Sequence, residues 1–94
     1  MHIIRKSIHT NIDNSRDTIV QIDTNTYKLH INNCYGVSRR NKFGYPGLSY
    51  DKQHNKIAVI RNKKKYGFYS DYIEALKKAY KLYNIPYTVQ IIDQ

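Results

Sequence analysis

Only one stretch of this chain keeps a helical period. Tyr72, Ala75, Leu76, Ala79, Tyr80 and Tyr83 fall at i, i+3, i+4, i+7, i+8 and i+11, which makes one apolar stripe. Glu74, Lys77, Lys78 and Lys81 occupy the other side. Ser70 or Asp71 stands at the capping position, and Asp71 with Glu74 has the spacing of a capping box. Asn84 and then Pro86 supply the stop, so the pattern predicts a helix over about 70–83. Ala75 and Ala79 are small enough to bring the helix axis close to whatever it covers. A lone amphipathic helix must bury its stripe on a partner layer, and the rest of the chain offers strands.

Elsewhere the periodicity is two. Ile3 to Ile8 reads as a strand and Thr10 to Asp17 as a polar loop. Thr18 to Asp23 with Tyr27 to Ile31 reads as a hairpin turning at Thr24 and Asn25. Residues 1–33 are thus a strand-rich, nearly neutral part. Asn32, Asn33, Gly36, Ser38, Asn41, Gly44, Pro46 and Gly47 then punctuate a connection of about 15 residues in which long order is not expected. Gly47 to Tyr50, Lys56 to Arg61 and Lys64 to Tyr69 follow as short strands, with turns at 51–55 and 62–63. Tyr87 to Ile92 is a last strand, placed to join the N-terminal hairpin. The expected class is α+β: a three-stranded antiparallel sheet packed on one helix in the C-terminal half, preceded by a strand-rich hairpin region. With 94 residues, neither half has enough chain for its own core, so 1–94 is read as one small domain.

Charge is concentrated. The chain carries +9, and nine basic residues lie between Arg39 and Lys65 against the single acid Asp51, for +8. The remainder sums to +1. A basic segment that coincides with strands and interleaved tyrosines points to a polyanion-binding face, whereas a bare lysine run would be a solvated one. On the second strand, Ala58 and Ile60 share one side and Ile57, Val59 and Arg61 the other. With Ala58 and Ile60 toward the helix, Val59 and Arg61 look outward, and Lys63 and Lys65 join them. A slip of one residue exchanges these faces.

The runs Gly47-Leu48-Ser49-Tyr50-Asp51, Asn55-Lys56-Ile57-Ala58-Val59-Ile60-Arg61, Lys64-Lys65-Tyr66-Gly67-Phe68-Tyr69, Glu74-Ala75 and Ala79-Tyr80 carry a family pattern. Over residues 43–83 the chain resembles the Apetala-two/ethylene-response-factor DNA-binding domain. The resemblance implies a sheet that docks into duplex DNA with a helix behind it. It places Ser49, Asp51, Val59, Arg61, Lys63 and Lys65 outward. The family's first-strand arginines are Pro46, Ser49 and Asp51 here, so no base preference carries over.

Individual roles follow from side-chain chemistry. Arg61 either reads a guanine edge with its planar fork or pairs with Asp51 across the hairpin. Lys63, Lys64 and Lys65 are phosphate contacts or a solvated tip. Lys52 belongs to the same charged segment. Arg39, Arg40 and Lys42 form a basic arm or a plain linker. Tyr45, Tyr50 and Tyr66 stack on nucleotides or pack in the core.

Catalysis finds little support. His2, His9, His30 and His54 show no ligand spacing, Asp13 and Asp17 sit in the polar stretch, and no phosphate-binding loop is present. Cys34 is the sole cysteine, which denies the chain an internal disulfide or a thiolate zinc cage, and it is expected to be inert. No enzyme activity, cofactor or metal is expected. No apolar run approaches the roughly 20 residues of a membrane span, so an intracellular protein without a membrane partner is expected. Duplex DNA is the leading partner, followed by RNA or a host nucleoprotein complex. The bias toward Ile, Asn, Lys and Tyr fits an AT-rich phage or mobile element. Two other roles suit such a chain: an anti-CRISPR-like inhibitor of a host nucleic-acid-targeting defence complex, and an accessory module of an integrase or excisionase system.

Overall fold

The computed structural model describes residues 1–32 and 41–92. The elements are β1 (Ile3–Thr10), β2 (Arg16–Ile22), β3 (Asn25–Ile31), β4 (Leu48–Asp51), β5 (Lys56–Arg61), β6 (Lys64–Tyr69), α1 (Tyr72–Tyr83) and β7 (Tyr87–Ile92). They form a four-stranded antiparallel sheet in the order β1-β2-β3-β7 and a three-stranded antiparallel sheet in the order β4-β5-β6. The fold is α+β, as expected, and β7 returns to pair with β3 as the last strand. No helix among the described residues is long and apolar enough to cross a membrane.

Several boundaries differ from expectation: β1 runs on to Thr10, and β4 covers Leu48–Asp51 in place of Gly47 to Tyr50. Asp17 leaves the polar loop and enters β2, because Arg16 and Asp17 pair with both neighbouring strands. The first hairpin turns at Asp23 and Thr24, with Asn25 already paired to Ile22. Asp23 takes the left-handed backbone (φ 53°), a conformation that Asp tolerates better than most residues.

The helix packs on one side of the three-stranded sheet, and alternation selects what meets it. Leu48, Ile57 and Val59 are buried in one cluster with Tyr72, Ala75, Leu76 and Ala79. The same cluster takes in Val20, Ile22, Tyr27, Leu29 and Ile31 from the four-stranded sheet. Each sheet thus buries one face in a shared core, which neither could fill alone.

The described end of the connection ahead of β4 is built of turns and bends, as its residue types imply. Asn41 Oδ1 accepts the N–H groups of Phe43 (2.9 Å) and Gly44 (3.2 Å), an Asx turn that frees the chain from needing a strand partner. Phe43 and Tyr45 are fully buried. The Tyr45 hydroxyl donates to Ile85 O at 2.9 Å, and Tyr72 Oη donates to Phe43 O at 2.6 Å. Burial pushes the Tyr45 phenol up to about 12 and Tyr72 still higher, so both remain neutral donors. Tyr45 is therefore a core residue and does not present its ring to a ligand.

At the helix start Asp71 is extended (φ −104°, ψ 127°) and its side chain makes no capping hydrogen bond. Its carbonyl accepts from Ala75 N at 3.1 Å, and Glu74 turns to Lys77 (3.5 Å) instead of closing a capping box. At the other end Asn84 is left-handed (φ 54°) and donates its N–H to Tyr80 O at 2.7 Å, the stop anticipated from its residue type.

Candidate nucleic-acid interface

Cross-strand partners share a face, so the register of the three-stranded sheet sorts its side chains. Leu48 pairs with Val59, and Tyr50 with Ile57, on the helix side. Ser49 pairs with Ala58, and Asp51 with Lys56, on the open side. This reverses the expected assignment of β5. Ile57 and Val59, not Ala58 and Ile60, point at the helix. The reason is volume: Ala75 and Ala79 leave room that branched side chains fill and a second layer of alanine would not. Val59 is 0% exposed and cannot meet a ligand.

Arg61 follows Val59 to the helix side. Its Nη1 donates to the carbonyl of Leu82, and its guanidinium lies 5.4 Å from the Tyr83 ring centroid. Leu82 lies in the last turn of α1, where carbonyls lack intrahelical donors and a cation is favourable. Arg61 therefore holds the helix end. It neither projects from the open face nor pairs with Asp51.

On β6 the pairing contains a bulge. Gly67 pairs with Val59 but Lys65 with Ile60, leaving Tyr66 as the extra residue. Simple alternation would set Lys65 opposite to Phe68. The bulge returns it to the same side, where Lys65 Nζ is 5.5 Å from the Phe68 ring. The His54 ring lies tilted against the same ring, with centroids 4.4 Å apart. Lys65 also reaches Asp51 Oδ2 at 3.3 Å. The open face thus carries Ser49, Asp51, Lys56, Lys65 and Phe68, with His54 folded over it from the β4–β5 turn; Ala58, 1% exposed, and the half-buried Ile60 share that side.

The other basic candidates surround this face. Lys52 is exposed in the β4–β5 turn, and Lys63 is exposed at the β5–β6 tip, where Asn62 and Lys63 both have positive φ (53° and 65°) as a two-residue hairpin turn requires. Lys64 is exposed and covers Tyr66 at 5.3 Å. Lys42 is exposed beside the buried Phe43. Arg39, Arg40 and Cys34 lie outside the described residues. Lys56, His54 and Phe68 belong to the face but were not singled out from the sequence. The alternation of β5 carries the signal for Lys56 once the core side is known.

Among the described residues Asp51 is the one carboxylate on this surface. The N–H of His54 donates to it at 3.1 Å, and Lys65 and the His54 ring assist, which together hold its pKa at about 2 against the usual 3.8. The depressed value means that Asp51 stabilises the fold above pH 3.8 and that this contribution disappears as pH falls toward about 2. In a thermal-melt series, wild type should melt above Asp51→Asn near neutrality, and the gap should close over that acid window. A gap that persists unchanged at the lowest pH would show that the carboxylate charge is not what holds the turn.

The outer face of the four-stranded sheet holds a second polar group. Register places His9, Asp17, His30 and Thr88 in one row across its strands. Asp17 Oδ1 is 2.6 Å from His30 Nδ1, and Asn11 Nδ2 donates to Asp17 Oδ2 at 3.1 Å. The His30 contact first and the Asn11 bond second keep the Asp17 carboxyl below its ordinary range. Their sequence positions gave no sign of this row, because it exists only through strand pairing. Among the described residues no group of three or more His, Cys, Asp or Glu is arranged to hold a metal ion. Compared with family models, curated proteins and solved structures, the chain finds no match in any of the three.

Proposed function

We propose that the protein is a nucleic-acid-docking module whose open three-stranded sheet face sits against duplex DNA. The observation that carries this reading is the one-sidedness of the sheet. Its helix side is sealed by Leu48, Ile57 and Val59, while the other side presents Lys56 and Lys65 between the exposed turn lysines Lys52 and Lys63. Three strands at a spacing of about 4.8 Å span about 10 Å, which suits a major groove about 12 Å wide. The only acid on the face among the described residues is already engaged by Lys65 and His54, so it opposes a phosphate less than a free carboxylate would. The order of three strands and a helix between Leu48 and Tyr83 also supports the resemblance to the ethylene-response-factor domain.

The mechanism is docking without turnover: lysines position the sheet on phosphates, and Ser49 and Phe68 face the groove floor. Arg61 and Val59 have no part in it. With about five phosphate contacts, the affinity should fall with salt at a log–log slope of about −4.5. Fluorescence anisotropy on a labelled duplex tests this. Changing Lys56, Lys63 and Lys65 together to Gln should flatten the slope by about 2 to 3, while Arg61→Gln should leave it alone. Equal slopes for the triple variant and the wild type would remove the sheet face from the interaction.

A further inference from the structure

The helix side carries a second basic surface that the sheet face does not include. A cleft of about 450 Å³ runs between α1 and the strands β6 and β7, within the range of small-ligand clefts. Its apolar wall is made of Tyr69, Tyr80 and Tyr87, and its rim of Glu74, Lys77, Lys78 and Lys81. We propose that this cleft receives one nucleotide of a single-stranded nucleic acid, the base against Tyr80 and Tyr87 and the phosphates at Lys78 and Lys81.

The aromatic wall is packed ring against ring. Tyr80 meets Tyr87 edge-on with centroids 5.7 Å apart, and Tyr87 meets Tyr45 in the same manner at 5.3 Å. Tyr45 is fully buried and tied to Ile85, so the series of rings is anchored in the core. Tyr80 nevertheless keeps 39% of its surface exposed, a large share for a tyrosine on the apolar stripe of a helix. That exposed surface is available to a base, and a ring already held by its neighbours costs less entropy on binding than a free one.

The rim supplies the matching charge. Glu74 engages Lys77 at 3.5 Å, whereas Lys78 and Lys81 have no ion pair among the described residues. Both cations therefore remain for an anion lying along the helix. Burial raises the Tyr87 hydroxyl above its ordinary value, so the tyrosine wall adds no negative charge, and Glu74, the one carboxylate lining the cleft among the described residues, is engaged by Lys77. A flat ring beside free cations favours a base and its phosphate over an acidic peptide, which would use the lysines and leave the rings idle. A duplex keeps its bases stacked inside, so an unpaired strand is the form that fits.

The site stands apart from the sheet face and is tested separately from it. Anisotropy with a fluorescein-labelled oligothymidylate should show a loss of about tenfold in affinity for Tyr80→Ala, recovery for Tyr80→Phe, and a loss for the double change of Lys78 and Lys81 to Gln. The duplex affinity of these variants should stay at the wild-type level, and the triple sheet-face variant should keep the Tyr80-dependent part of oligothymidylate binding. A thermal melt accompanies each variant, and Tyr80→Phe retains the ring packing should the alanine variant lose it. Unchanged oligothymidylate binding in Tyr80→Ala would overturn the proposal. So would polyaspartate competing as well as the oligonucleotide, since that outcome identifies a plain anion surface.

Discussion

Tyr72→Ala is expected to lose most of the stability of this domain. Tyr72 is 1% exposed, and its ring lies 5.0 Å from Tyr27 of the four-stranded sheet and 6.0 Å from Phe43 of the connection. It is a helix residue that meets both the four-stranded sheet and the connection. Truncating a buried aromatic costs about 3–5 kcal/mol, and the abandoned carbonyl of Phe43 adds about 1–3 kcal/mol. A domain of this length has only about 5–14 kcal/mol to lose. Tyr72→Phe keeps the ring and gives up just the hydrogen bond to Phe43, so it should cost about 1–3 kcal/mol. Urea unfolding measures both. If the two variants shared one midpoint, the ring would not be the link between the layers.

Gly47→Ala is the second large effect. Gly47 has φ +84°, which is strained for any residue with a side chain, and a Cβ there would lie 2.4 Å from Tyr83 Cε2 and 2.6 Å from Ile60 O. That carbonyl already accepts the Tyr83 hydroxyl at 2.6 Å, and Ile60 N donates to Gly47 O at 2.7 Å. The methyl group would thus push apart the entry to β4, the end of β5 and the last turn of α1 together. Backbone strain of about 1–3 kcal/mol and overpacking of similar size should bring the total to about 2–5 kcal/mol. Because the displaced ring is the one Arg61 covers, the near-ultraviolet tyrosine signal should change along with the unfolding midpoint. A neutral Gly47→Ala would mean that Tyr83 swings aside freely.

How much of this was readable in advance depends on the range of the interaction. Every strand and the helix were legible to within a few residues, because β-branched alternation, the Tyr72 to Tyr83 stripe and the turn residues Asn62 and Asn84 act locally. The absent capping bond at Asp71 shows the limit of such reading, since spacing permits a capping box without forming one. Phe43 and Tyr45 looked like loop residues for a similar reason. Their burial depends on Ile85 and Tyr72, both more than twenty residues away in the chain.

The sequence alone determined the class of the fold, the order of its elements and the location of its charge, because hydrophobic period and net charge are properties of short segments. Tertiary structure alone decided which way that charge points. β5 reads Ile57-Ala58-Val59-Ile60, apolar on both sides, so only the space left by Ala75 and Ala79 could choose its inner face. That choice carried Arg61 to the helix end, and one bulged residue, Tyr66, then turned Lys65 back to the open side. A single register step moves a side chain from one face of a sheet to the other, and such steps are set by packing between elements distant in the chain.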